Sequence, residues 1–319
     1  MINFAFMLKT YAPDFNRVVN LIKSFNKYNV ANCKLFIVVS AEDLDLFSTF
    51  ISNNVTVVCQ DSIPVRLANS NSPLALSIKP GYINQEIIKL SFWKMSLCKN
   101  YLCLDSDGEF IRDFAEEDFM HDNDSPFTVA TDDKDLKSDS EYYDKFWNIR
   151  EVSIRKIFDS FNLPQPKYLQ TCHGFQILSS KYLKSMMTDF MEPNNLDYID
   201  LLMICPYEFS WYTIYLQKIN EKIYYVEPFF KYFHTSSSYI NSRLLGIGRE
   251  ELARSYAGIV VNGNFQAKNR IIDSNSSISK VFGFYVPLPV ILKSIIYKVP
   301  FVINIVKHRI KKAVRFSVG

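Results

Sequence analysis

The sequence predicts an α/β fold, in which helices cover both faces of a parallel sheet. Nearly continuous apolar runs recur in the first half of the chain, at residues 2–8, 33–39, 55–59 and 101–104. Segments whose apolar residues have helical spacing alternate with these runs. Strands without polar alternation are typical of parallel sheets that are covered on both faces. The 48% hydrophobic content, with 26 Phe and 19 Tyr, excludes a largely disordered chain.

The predicted elements of the first half follow from the continuous apolar runs and from the segments with helical spacing. Strands are assigned to apolar runs that are bounded by turn residues, and helices to segments whose apolar residues recur every three or four positions. In chain order we expect a strand at 2–8, a helix at 15–28, a strand at 33–39, a helix from Ser40, a strand at 55–59, a loop at 68–81, a helix at 82–99 and a strand at 101–104.

The second half has weaker patterns. Residues 127–131 and 174–180 are predicted strands, and the aromatic segment 222–234 is a third. Residues 131–146 are predicted to be a charged loop, because their acids and lysines follow no helical or strand period.

Charge and cysteine content indicate the setting of the protein. The net charge is +3, but residues 280–319 carry eight Lys or Arg and no acid, so the rest of the chain has a net charge of −5. Six scattered cysteines without a CxxC pair predict free thiols in a reducing compartment. The first residues lack the features of a secretory signal, so we expect the protein in the cytoplasm.

The stretch YLCLDSDGEF at 101–110 is the most informative, since a buried strand runs directly into Asp105 and Asp107. A calcium-binding EF-hand loop is excluded, because its sixth position requires glycine and Phe110 stands there. An ordinary turn remains one alternative. The other is a site for Mg²⁺ or Mn²⁺ and a diphosphate, because ligands bind beyond the carboxyl ends of parallel strands. The break after the first strand would then share this crevice.

The same stretch resembles the DxD element of GT-A-fold glycosyltransferases, which hold a nucleotide-sugar diphosphate through a divalent metal. The segments MLKTYAPDF, GYINQEIIKLSFWKM and PYEFSWYTIYL resemble further elements of a bacterial glycosyltransferase family encoded in polysaccharide-biosynthesis clusters. The resemblance extends over roughly residues 2–240. It implies a GT-A-like, Rossmann-type mixed sheet, a nucleoside-diphosphate sugar as donor, and Mn²⁺ or Mg²⁺ as cofactor.

The resemblance also assigns roles to residues near the first strand. Lys9, Thr10 and Tyr11 would seat the base and ribose of the nucleotide, and Asp14 would bond an edge of the base. A plain helix start, with Asp14 near the cap, is the alternative, because caps use the same residue types.

A second group of predicted residues surrounds the acidic strand end. Gln85 and Lys89 lie four residues apart and therefore share one helix face, from which Lys89 would reach the diphosphate or donor sugar. A solvated lysine is the alternative. Asp105 and Asp107 would hold the metal, and His234 would complete the metal site.

The remaining candidates lie in the second half. His173 precedes Gly174, which would permit close approach of a sugar, so His173 is a predicted sugar contact. Glu208 is the predicted base that removes the proton of the acceptor hydroxyl; a helix start, which favours acids, is the alternative. Asp197 and Asp200 are reserve candidates for this base. Three aromatic residues after Glu208 are candidates for sugar stacking, although a place in the core is the commoner role of such residues: Trp211, Tyr212 and Tyr215.

We expect two parts, a transferase domain at 1–279 and a basic amphipathic helical extension at 280–319. Prolines and lysines interrupt every apolar run of the extension, so a spanning helix is not predicted. Apolar clusters flanked by Lys and Arg favour an anionic membrane surface over nucleic acid. A final helix that packs on the body is the alternative.

These predictions describe a metal-dependent glycosyltransferase that is peripheral on the inner face of the cytoplasmic membrane. It would transfer sugar from a nucleoside-diphosphate sugar to a lipid-linked saccharide of O-antigen, capsule or lipooligosaccharide. One alternative is a nucleotidyl- or phosphotransferase, which the lack of glycine before Gly81 disfavours, because phosphate-binding loops are rich in glycine. A non-catalytic membrane-associated scaffold is the other alternative.

Overall fold

The computed structural model describes residues 1–69, 79–131, 140–172, 174–235, 238–239, 242–243 and 245–261. The chain divides into two compact units, Met1–Tyr232 with Arg249–Val260, and Phe233–Gly248 with Val261–Gly319. The predicted boundary at 279 and the basic extension at 280–319 lie outside the described residues. Among the helices that are described, none has the length and apolar character needed to cross a membrane.

The described strands and α-helices agree with most of the predicted elements of the first half. The strands are β1 (Ile2–Lys9), β2 (Lys34–Val39), β3 (Val55–Cys59), β4 (Cys98–Leu104), β5 (Gly108–Phe110), β6 (Phe127–Val129), β7 (Ile177–Ser179), β8 (Tyr224–Val226), β9 (Phe230–Phe233) and β10 (Gly258–Val261). The α-helices are α1 (Phe15–Tyr28), α2 (Leu44–Ser48), α3 (Pro80–Ser91), α4 (Ser140–Ser160), α5 (Ser180–Met186), α6 (Tyr198–Ile204), α7 (Glu208–Lys218) and α8 (Arg249–Leu252).

A five-stranded mixed sheet lies at the centre of the first unit, in the order β3-β2-β1-β4-β7. The first four strands are parallel, and β7 runs antiparallel to β4. The predicted mixed α/β fold is thereby confirmed. Because β1 and β4 are neighbours, with Leu8 opposite Leu104, the residues that follow these two strands emerge at the same edge of the sheet. Two small sheets, β5-β10-β9 and β6-β8, accompany the central one.

Strand β1 is apolar from Phe4 to Leu8 because it separates two hydrophobic cores. Ala5 and Met7 belong to the core that includes α3 and α7, whereas Phe4, Phe6 and Leu8 belong to the core that includes α1. The ring of Phe6 has centroid distances of 5.1–5.5 Å to five other phenylalanines, which are Phe4, Phe25, Phe110, Phe114 and Phe119. The high phenylalanine content therefore fills one of the two cores.

Several of the predicted boundaries are wrong, as three examples show. The helix predicted at 82–99 ends as an α-helix at Ser91, and Ser96 in the left-handed conformation directs the chain into β4. The charged loop predicted at 131–146 includes the first residues of α4, from Ser140 onward. The aromatic strand predicted at 222–234 is two strands in different sheets, separated at Pro228, which has no N–H to donate to a ladder.

Candidate functional site

The DSD segment forms a tight turn at the carboxyl end of β4. The N–H of Gly108 donates to the carbonyl of Asp105 at 3.1 Å, which closes the turn. A Cβ atom on Gly108 would lie 3.0 Å from the ring of Phe175, so the absence of a side chain lets the turn pack against this ring. Asp105 and Asp107 are both partly exposed, whereas Ser106 between them is buried.

Ser106 connects this turn to the residues that follow β1. Its Oγ lies 3.3 Å from Oγ1 of the buried Thr10, and it donates to Oδ2 of Asp14 at 3.0 Å. Arg17 donates to the other oxygen of Asp14 at 2.6 Å. Asp14 occupies the N-cap position of α1, yet its side chain makes no capping hydrogen bond. The two predicted strand-end regions are therefore in contact, and the side chain of Asp14 bonds to the turn rather than to the helix end.

Lys9 and Tyr11 stand on either side of Thr10. The ammonium of Lys9 donates to the carbonyl of Thr10 at 2.9 Å. Burial lowers the pKa of Lys9 to about 8, although the nearby carboxylates of Asp43 and Asp61 act in the opposite direction. Tyr11 is half exposed. The predicted contacts of these residues with base and ribose stay predictions.

On the other side of the turn, a buried lysine contacts Asp105. Lys89 on α3 is only 3% exposed, and its Nζ lies 3.2 Å from Asp105 Oδ1, 3.2 Å from Glu208 Oε1 and 3.4 Å from Glu86 Oε2. Gln85 Nε2 donates to the same Oδ1 of Asp105 at 3.0 Å. The predicted common face of Gln85 and Lys89 is thus confirmed, and a solvated lysine is excluded. The predicted contact of Lys89 with a diphosphate stays a prediction.

The two glutamates around Lys89 are also buried, with exposed fractions of 3% for Glu86 and 6% for Glu208. Burial and then the charge of Glu208 raise the pKa of Glu86 well above its usual range. Burial acts against ionisation of Glu208 too, but the charge of Lys89 and a hydrogen bond from Glu86 outweigh it, so the pKa of Glu208 is lowered. The raised pKa favours the protonated form of Glu86, whereas the lowered pKa favours the ionised form of Glu208.

Lys89 keeps its charge in this environment. Burial disfavours the ammonium form, but the nearby acids, of which Asp105 contributes most, raise the pKa of Lys89 well above its usual range. The surrounding carboxyl groups thus stabilise the ammonium charge in place of water, which cannot reach it.

The histidine predictions are not tested. His234 is buried and belongs to the second unit, and His173 lies outside the described residues. Within the described part of the chain, no three His, Cys, Asp or Glu side chains form a group that could hold a metal ion. The candidate cation ligands of the first unit are therefore the two carboxylates of the turn, Asp105 and Asp107.

Several other candidates have structural roles. Asp197 and Asp200 form a reciprocal capping box at the start of α6, in which Asp197 accepts from the N–H of Ile199 at 2.8 Å. The expectation that Gly174 makes room for a sugar is wrong, because a Cβ there would lie 2.2 Å from the ring of Tyr232. The three aromatic residues of α7 are core residues: Trp211, Tyr212 and Tyr215.

Sequence reasoning missed Glu86 and Ser106 as members of the site. Glu86 carried a signal in the sequence. It lies beside Ile87 and three residues before Lys89 on a predicted amphipathic helix, at a position where an apolar residue is expected. Ser106 carried none beyond its place between two aspartates.

A family model described as a family of unknown function (DUF6492) matches residues 2–242. No curated protein matches the chain. Among solved structures, mouse xyloside xylosyltransferase 1 in its apo form is similar, with 9% identity, a TM-score of 0.44 and coverage of 82% of this chain and 98% of that chain. The galactosyltransferase LgtC in complex with donor and acceptor sugar analogs has 12% identity, a TM-score of 0.43 and coverage of 89% and 98%. An active-site mutant of LgtC has 14% identity, a TM-score of 0.47 and the same coverage of 89% and 98%. At these identities and TM-scores, the similarities do not show what chemistry this chain performs.

Proposed function

We propose that this chain, which belongs to that family of unknown function, is a metal-dependent glycosyltransferase that uses a nucleoside-diphosphate sugar. One observation carries the proposal: the tight turn that holds the two carboxylates, at the end of a central parallel strand, is hydrogen-bonded through Ser106 to Thr10 and Asp14 from the neighbouring strand end. In sheets of this type, nucleotides and other ligands bind beyond the carboxyl ends of the strands.

The turn has suitable ligands for a hard divalent cation. Carboxylate oxygens are the ligands that Mg²⁺ and Mn²⁺ prefer, and substrate phosphates and water complete their coordination, so Asp105 and Asp107 suffice as protein ligands. Gln85 and Lys89 both contact Oδ1 of Asp105, and no residue in the described part of the chain donates to Oδ2. A cation at this turn would supply the positive charge that a diphosphate leaving group requires.

The residues of the chain itself would bind and orient the donor. Ser106 fixes Thr10 and Asp14 beside the turn, which supports a nucleoside site between β1 and the two aspartates. Lys9, whose pKa is lowered to about 8, would add positive charge there at neutral pH. Tyr11 is exposed enough to contact a base or ribose.

The proposed acceptor is a lipid-linked saccharide, and residues 280–319 would hold the enzyme at an anionic membrane surface. This part of the proposal depends on the basic and apolar composition of those residues. A general base has to reach the acceptor hydroxyl and to have a pKa near the working pH. The predicted base, Glu208, is buried and already accepts from Lys89, which favours a positioning role over that of a base.

The proposal is tested by calorimetric binding of UDP, GDP and dTDP with Mn²⁺ and with EDTA. We expect one of them to bind only with the cation, and Asp107→Asn to weaken this binding at least about ten-fold, since one of two charged ligands is lost. Asp45→Asn is the matched control, because Asp45 is exposed and lies on α2. Wild-type protein without metal-dependent binding of any of the three nucleotides would refute the proposal. A screen of sugar nucleotides for nucleotide release then identifies the donor and separates a glycosyltransferase from a nucleotidyl- or phosphotransferase.

A further inference from the structure

We infer that Glu86, Lys89 and Glu208 form a buried positioning cluster, which fixes Asp105 with one carboxylate oxygen turned away from the cluster and available to a cation. The inference rests on the proposed function, because it assigns these three residues to the cation site without placing any of them on the substrate.

The geometry of Lys89 supports this inference first. An ammonium group has three N–H donors and no acceptor. Three carboxyl oxygens surround Nζ at 3.2, 3.2 and 3.4 Å, and they belong to Asp105, Glu208 and Glu86. These oxygens come from the turn after β4, from the first residue of α7 and from α3 itself. One buried atom therefore ties three elements of the first unit together at the position of Asp105.

The orientation of the Asp105 carboxylate follows from two donors on one oxygen. Gln85 Nε2 at 3.0 Å and Lys89 Nζ at 3.2 Å both contact Oδ1. Because both donors come from one helix, rotation of the carboxylate would break two contacts at once. The side chain of Asp105 is 41% exposed, so its second oxygen has access to a ligand.

The charges of the cluster indicate different roles for Glu208 and Asp105. Glu208 is buried in contact with Lys89, whose charge outweighs burial and lowers the pKa of Glu208. The charge of Lys89 is thus balanced inside the protein by Glu208. If Glu208 were neutral, Asp105 would be the remaining carboxylate at the ammonium, and its charge would be drawn toward Lys89 instead of a cation.

This role of Glu208 differs measurably from that of a base. A base acts on the acceptor hydroxyl, so its loss lowers turnover and leaves binding of the donor nucleotide unchanged. A positioning residue acts through Asp105, so its loss weakens metal-dependent nucleotide binding before any acceptor is added.

The decisive experiment measures, by calorimetry, the affinity of Glu208→Gln for UDP, GDP and dTDP with saturating Mn²⁺. We expect about ten-fold weaker binding of the nucleotide that wild type binds, because the substitution keeps the size and the Oε1 acceptor but removes the balancing charge. Gln85→Leu removes one of the two donors to Asp105 and should weaken the same binding with no change of charge in the cluster. Glu192→Gln, at an exposed position, is the matched control and should bind as wild type does.

Circular dichroism melting of each variant ensures that affinity is compared on folded protein. If Glu208→Gln and Gln85→Leu both bind within about two-fold of wild type, the inference is overturned; lost turnover by Glu208→Gln in that case would assign Glu208 as the base. This outcome is distinct from failure of the proposed function, in which wild type itself lacks metal-dependent binding. The double substitution of Lys89→Met with Glu208→Gln, which removes both buried charges, gives a second measure. Its binding should be no weaker than that of Lys89→Met alone, because the two residues act as one unit.

Discussion

Replacement of Lys89 by methionine should destabilise the protein severely, because it leaves a buried carboxylate without its partner. Lys89 is 3% exposed and contacts Glu208, which is 6% exposed, at 3.2 Å. Removal of one member of a buried ion pair costs about 3–5 kcal/mol of the free energy of unfolding. Methionine has a similar length, so little of this loss comes from a cavity.

The loss should also depend on pH. Lys89 holds the pKa of Glu208 below its usual range, so in wild type the stabilising contribution of this ionised group is present above the unfolded-state pKa and is lost as pH falls through the folded-state pKa. Without Lys89, burial becomes the dominant influence and raises the pKa of Glu208, so the variant loses stability as pH rises through that higher value. The difference between variant and wild type should therefore be largest at neutral pH and shrink toward about pH 5.

Urea unfolding followed by circular dichroism measures both effects. Lys99→Met is the matched control: Lys99 pairs with Asp124 at 3.1 Å, but their side chains are 50% and 80% exposed, so its loss should cost less than about 1 kcal/mol. The double substitution of Lys89→Met with Glu208→Gln should recover a large part of the stability. A loss below about 1 kcal/mol for Lys89→Met at neutral pH, or a loss that grows toward acid, would show that Lys89 and Glu208 are not coupled as described.

Two further substitutions test features that surround the site. Gly108→Ala would place a Cβ atom 3.0 Å from the ring of Phe175, so we expect a loss of about 1–3 kcal/mol in urea unfolding and weaker Mn²⁺-dependent nucleotide binding; unchanged binding would indicate that the turn relaxes without moving its aspartates. Asp197→Ala removes the cap of α6 and the ion pair with Arg66, and should cost about 1 kcal/mol while nucleotide binding stays as in wild type. A clear loss of binding in that variant would give Asp197 a role beyond the helix start.

The central sheet was predictable because its inner strands are largely buried on both faces and are therefore mostly apolar. Strand β3 and helix α1 have the predicted bounds, at 55–59 and 15–28. Boundaries failed where local patterns conflict. The helical period of the sequence continues past Ser91, where α3 ends. The chain then turns into β4 at Ser96, and the left-handed conformation of a serine has no sequence signature.

The proximity of the two strand ends was predictable from topology, but the burial of Lys89 beside them was not. Strand ends alone placed Thr10 near the acidic turn, since neighbouring parallel strands end at one edge. The burial of Lys89 depends on its contact with Glu208, which is 119 residues away in the sequence. No local pattern carries such a contact, because a lysine on an amphipathic helix has the same spacing whether it is solvated or paired.

Strand β1 lies between two cores, and this has a consequence for how its pairing is specified. In a sheet with one solvated face, polarity prevents a strand from sliding by one residue, but a slip of β1 would exchange apolar residues for apolar residues. Size must act instead: Phe4 and Phe6 fill one side, whereas Ala5 faces the other. A slipped strand would force rings into the space of a methyl group, at a cost of overpacking. The same register of β1 against β4 determines where Thr10 contacts Ser106. The shapes of core side chains therefore determine the geometry of the contact between the two strand ends.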